Sequence, residues 1–67
     1  MATSEDPVAL ARRHVAEAER VVAEQTERVE RMRGHGHDAT EAERLLETFE
    51  HILATMRDHL QYEESRK

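Results

Sequence analysis

Five histidines and fifteen carboxylates, with no cysteine, are the side chains here that could do chemistry. Two of the histidines stand together in His35-Gly36-His37-Asp38. Neutral imidazoles bind zinc, nickel or copper, and an aspartate oxygen can join them. A structural site of that kind wants four rigidly held ligands, whereas this segment offers three, set among glycines that leave the backbone free. Nor do His35 and His37 have the i, i+4 spacing by which one helix face presents two imidazoles. The simpler reading is a bend between two helices, with His35 in solvent and His37 preceding a cap.

His14 and His59 form a second constellation. They fall beside each other on one flank of the helix pair derived below, and a twofold axis would double them to four imidazoles. Such a group could hold a metal or respond to pH near 6. The plainer alternative is that their apolar ring faces shield the edge of an interface. His51, in Phe49-Glu50-His51-Ile52-Leu53, points outward from its helix. In outline it resembles the phosphoacceptor histidine of histidine-kinase dimerisation and phosphotransfer domains. The His-Glu followed by Arg-Thr-Pro of the kinase box is missing, and likeness of architecture alone does not carry an activity. Enzymatic readings find little else. There is no cysteine nucleophile and no glycine-rich phosphate loop beside a strand, and Ser4 and Ser65 lie in the expected loose ends. A thin helical pair also lacks the concave pocket that small-molecule sites need. The expectation is a non-enzymatic protein with no cofactor and no small-molecule substrate.

Length and charge set further bounds. Sixty-seven residues allow one domain, 1–67. A core that small is marginal without disulfide, metal or oligomerisation. Residues 1–37 carry six arginines against seven acids, and residues 38–67 carry four basic side chains against eight acids, so most of the −5 net charge sits in the second half. An acidic half argues against nucleic acid, which calls for a clustered basic face. Met1-Ala2-Thr3-Ser4-Glu5-Asp6 lacks the basic start and apolar block of a signal peptide. No apolar run approaches the roughly 20 residues that cross a bilayer. A cytoplasmic location is expected, away from the membrane.

Two periodic segments position these histidines. Asp6-Pro7 starts the first helix, with Asp6 as N-cap, Pro7 at the first helical position and Glu5 near the positive end of the helix dipole. No Gly or Pro interrupts 7–33. Arg31 and Arg33 suit the last turn, and Gly34 is the expected left-handed residue after it. The second helix is expected over 39–62, capped by Asp38 with Glu41 in an Asp-x-x-Glu box, Thr40 with Glu43 being the competing box. Residues 1–6 and 63–67 are expected to be flexible.

In the first segment Val8, Ala11, Val15, Ala18, Val22, Gln25, Val29 and Met32 recur at alternating steps of 3 and 4. In the second, Ala39, Ala42, Leu46, Phe49, Leu53, Met56 and Leu60 do the same. These are the a and d positions of heptad seams. Folded back at the loop, the seams pair level by level, from Met32 with Ala39 to Ala11 with Leu60, each pair of numbers summing to 71. The fold class is therefore all-α, an antiparallel two-helix hairpin. Gln25 is the polar member of the seam: it either fixes register and oligomeric state or reaches out to the rim.

Beside the seam, at g positions on one flank, Val21 neighbours Ile52, Arg28 neighbours Leu45, and His14 neighbours His59. Leu10 is a further apolar residue off the seam. A second copy covering Val21, Leu45 and Ile52 would make a homodimeric four-helix bundle, a different protein partner being the alternative. The interface residues expected are Val21, Leu45, Ile52, Leu10, His14 and His59. The opposite flank is expected to set Glu19 against Glu50 and Arg12 against Arg57, like charges that belong in water. The pairs Arg20–Glu24, Glu24–Arg28 and Glu27–Arg31 have the i, i+4 spacing that supports a solvated helix face.

The stretch Gly36-His37-Asp38-Ala39-Thr40-Glu41-Ala42-Glu43-Arg44-Leu45-Leu46-Glu47-Thr48-Phe49-Glu50 resembles the centre of a group of short, uncharacterised helical-hairpin proteins of alphaproteobacteria. Their pattern is roughly G-H-D-T-x-x-A-E-x-L-L-x-T-F, preceded by an Arg/Glu-rich helix. It is followed by a helix ending near Met-x-x-His, as Met56-Arg57-Asp58-His59 does here. Ala39-Thr40 departs from the pattern, where Asp-Thr is usual. The resemblance spans most of residues 12 to 60 and implies a hairpin. It brings no activity. Three functions follow from these readings: a dimeric interaction or scaffolding module, a metal-binding or pH-sensing module using His14, His59, His35 and His37, and a phosphotransfer module using His51.

Overall fold

The computed structural model describes residues 6–66, which form two helices, α1 (Pro7–Gly34) and α2 (Thr40–Ser65), packed as a hairpin. The expected flexible leader falls, apart from Asp6, outside the described residues, as do Glu5, Ser4 and Lys67. The molecule measures 51 × 25 × 13 Å, so it is one helix layer thick. No helix of the described residues is long and apolar enough to cross a membrane.

The seam read from the sequence is the buried lane. Val8, Ala11, Val15, Gln25 and Val29 are buried on α1, and Ala42 and Leu53 on α2. The remaining seam positions of both helices, among them Ala18, Val22, Phe49 and Met56, are half-buried. Near the loop, Val29, Ala39 and Ala42 form one cluster with Met32 and Leu46 packed against it, the two innermost levels of the expected pairing with Leu46 from the third. Gln25 is 8% exposed, and its Nε2 donates to the carbonyl oxygen of Ala42 across the seam at 2.9 Å. The amide is thus a register pin between the helices and does not reach for the rim. No buried side-chain nitrogen or oxygen among the described residues lacks a partner.

The loop corrects one expectation. The left-handed residue is Gly36, at φ 73, while Gly34 is the last residue of α1. Gly36 N–H donates to Arg33 O and His37 N–H to Met32 O, at 3.0 and 2.8 Å. These two bonds are those of a Schellman motif with Gly36 at C′. Ending the helix there keeps Met32 inside the last turn, where it closes the seam beside Ala39. The start of α2 differs too. Asp38 stands one residue outside the N-cap, which is Ala39, and its Oδ1 accepts from both the backbone N–H (3.0 Å) and the hydroxyl (2.6 Å) of Thr40. That is an Asx turn. Neither capping box forms, because Thr40 is committed to Asp38, Glu41 lies by Arg44, and Glu43 pairs with Arg33. At the start of α1, Asp6 holds the N-cap position and Pro7 follows it, but the Asp6 side chain makes no capping hydrogen bond.

α2 also runs three residues past the expected end, to Ser65. The reason is Glu63, which continues the seam one level beyond Leu60 and falls opposite Val8. Its side chain is 11% exposed, paired with Arg66 at 3.3 Å and with the His59 ring 3.5 Å away. The opposite flank is a second correction. Instead of like charges, Arg12 meets Glu64 at 3.4 Å, Glu19 meets Arg57 at 3.2 Å, and Arg33 meets Glu43. Side chains lean toward the N-terminus of their own helix. In an antiparallel pair that lean separates Arg12 from Arg57 and brings Arg12 toward Glu64, so the ladder forms one step away from the like-charged pairing. Each exposed bridge is worth about 0.2–1 kcal/mol.

Two sets of variants check this frame. Gly34 has nothing within 4 Å of an added Cβ and is helical, so Gly34→Ala is expected to stabilise by about 0.5–1 kcal/mol. Gly36→Ala, at positive φ, is expected to destabilise by about 1–2 kcal/mol. Gln25→Ala removes the register bond and leaves a gap, at a cost of about 1–3 kcal/mol. Urea unfolding followed by circular dichroism reads all three.

Candidate interaction surface

Among the described residues, four large apolar side chains remain in solvent: Leu10 at 38%, Leu45 at 44%, Ile52 at 43% and Tyr62 at 59% exposure. Their placement is not scattered. Leu45 and Ile52 are g positions, while Leu10 and Tyr62 are the adjacent c positions, so all four fall on the same flank of the hairpin, the side away from the salt-bridge ladder. Between the helices on this flank is an open hollow of about 340 Å³, floored by Ala18, Phe49 and Met56 and edged by His14, Val21 and Ile52. Toward the loop a second depression carries Arg28 and Leu45 on its walls. Val21 and Ile52 therefore share one surface, and Arg28 shares the next with Leu45, as their g positions require.

Glu17 lies at the hollow's rim and is held by Arg20 at 2.6 Å. Arg20 also reaches Glu24 at 2.8 Å. The hydrogen bond and charge of Glu17, followed by the charge of Glu24, push the Arg20 guanidinium pKa further up. Of the other i, i+4 pairs expected, Glu27–Arg31 is long, at 3.9 Å. Glu24 and Arg28 do not pair, and Arg28 has no ion pair among the described residues.

The histidines are dispersed. His14 lies at the hollow, whereas His59 turns along its own helix to Glu63 and does not reach across toward His14. His35 and His37 stack in the loop with ring centroids 6.0 Å apart, beside Arg28 and Arg31, whose positive charges oppose a cation there. Among the described residues, no group of three or more His, Cys, Asp or Glu is placed to hold a metal. His51 is exposed on the outer face of α2 beside Glu47 and Glu50. The two residues that sequence reasoning passed over are Tyr62 and Glu63. Continuing the 3–4 step past Leu60 would have found Glu63 on the seam, and its neighbour Tyr62 on the apolar flank.

Comparison of the chain with family models, curated proteins and solved structures finds no match. The surface must therefore be read from its own chemistry.

At the loop, the hydroxyl and then the backbone N–H of Thr40 hold the Asp38 carboxyl below its ordinary 3.8. A lowered carboxyl pKa contributes stability that is fully present above the unfolded value and is lost as pH falls through the folded one. Asp38→Ala is therefore expected to lower the urea midpoint at pH 7. The gap to the parent should narrow as pH falls below about 4, which paired unfolding curves at pH 7 and pH 2.5 would show.

Proposed function

We propose that this chain is a small non-enzymatic interaction or scaffolding module that works as a homodimer. The observation that carries the reading is the gathering of Leu10, Leu45, Ile52 and Tyr62 on one flank of a molecule 13 Å thick. A monomer with scattered exposed apolar residues is ordinary, but their gathering on one flank beside a groove marks an association site. The salt-bridge ladder along the other flank supports the same assignment, since it leaves that side content in water. Two hairpins joined through the apolar flank make a four-helix bundle. Its outer faces, rich in Arg and Glu, remain available to a further protein. A cytoplasmic setting and kinship with short alphaproteobacterial hairpins belong to this proposal as well.

The metal-binding reading draws no such support, because no three ligands stand together among the described residues and His59 turns to Glu63 and away from His14; the phosphotransfer reading rests on likeness of architecture alone. The test is substitution on the flank. Leu45→Glu and Ile52→Glu are each expected to shift the dimer to monomer in sedimentation velocity, with a marked fall in helicity by circular dichroism. Dimers that persist with full helicity in both variants would contradict the reading.

A further inference from the structure

A dimer through this flank can be built in two ways, and the flank itself is polar along its length in a manner that selects one. Residue n of α1 lies beside residue 71 − n of α2, so Leu45 stands level with position 26, and the hollow around Ala18, Val21 and Ile52 is centred near level 19. Knob and hole are thus about one heptad apart, roughly 10 Å at 1.5 Å per residue. We infer that the second copy docks head to tail, about a twofold axis crossing the helices between these two levels, each Leu45 entering the hollow of the other copy.

A further observation agrees. The axis that seats Leu45 in the hollow also brings Arg28 of one copy to the level of Glu17 of the other. Arg28 is the arginine on this flank left without an ion pair among the described residues, and Glu17 is the carboxylate on the hollow's rim. An axis parallel to the helices would instead lay α1 of one copy over α2 of the other, setting Arg28 against Leu45 and hollow against hollow.

This inference rests on the homodimer reading, and the experiment separates the two. The chain has no cysteine, so Arg28→Cys and Glu17→Cys each carry one thiol, on exposed helix surface. The two variants, one bearing a mass tag, are mixed, allowed to exchange and oxidised, and the products are sized on a non-reducing gel, with the parent's mass measured by sedimentation equilibrium. The expected result is a mixed disulfide at least fivefold more abundant than either self-linked product. Self-linking of Arg28→Cys, or a parent dimer whose variants give no mixed product, overturns the head-to-tail arrangement while leaving the homodimer standing. A parent that sediments as a monomer, whether or not it later captures another protein, overturns both.

Discussion

The structure depends on a single lane of contact. Two helices touching along one heptad-spaced seam can bury one side chain per level from each, and in a layer 13 Å thick nothing lies above or below to cover the rest. Space must therefore be filled within the lane. Small residues on α1, such as Ala11 and Ala18, stand level with Leu60 and Leu53 on α2, which lets neighbouring levels interdigitate. Such a lane would slide if it were wholly apolar, since a shift by one heptad returns similar contacts. The Gln25 amide on the Ala42 carbonyl opposes that slide, because a shifted register would leave a buried amide unpaired. The ladder of Arg12–Glu64, Glu19–Arg57 and Arg33–Glu43 repeats the same register in charge.

The loop and the seam are one device. Met32 supplies a carbonyl to the Schellman motif and a side chain to the innermost seam level, and Thr40 opens α2 one residue after Ala39 closes that level. The His-Gly-His-Asp string, which invites a metal-site reading, is explained by these backbone demands. Gly36 supplies positive φ and Asp38 supplies an acceptor, while the two imidazoles stack at the surface.

The seam was legible because helical periodicity is long-range and redundant: fifteen positions in two segments had to agree, and a single misassigned residue would not have hidden the pattern. What was not legible turned on choices between near-equals. Gly34 and Gly36 both permit a left-handed residue, and only the Met32 level decides between them. Asp38 and Thr40 can each cap, and their mutual hydrogen bond removes both from that role. The facing charges were misread because heptad letters give angle but not lean, and the lean toward each helix's own N-terminus moves the contact by one step. Glu63 was hidden by its charge, which suggested a loose end although its position continued the seam. The apolar flank itself was visible in Val21, Leu45 and Ile52, with Leu10 beside it. The histidines were visible as residues, but their dispersal depends on rotamers that no spacing determines.

Dilution tests the central claim most directly. Circular dichroism and sedimentation equilibrium on the unmodified chain, followed together from hundreds of micromolar to below one micromolar, read folding and association at once. A single lane that is completed by a second copy predicts a species of about twice 7.8 kDa that loses helicity as it dissociates. A fully helical 7.8 kDa species at the lowest concentration would contradict it.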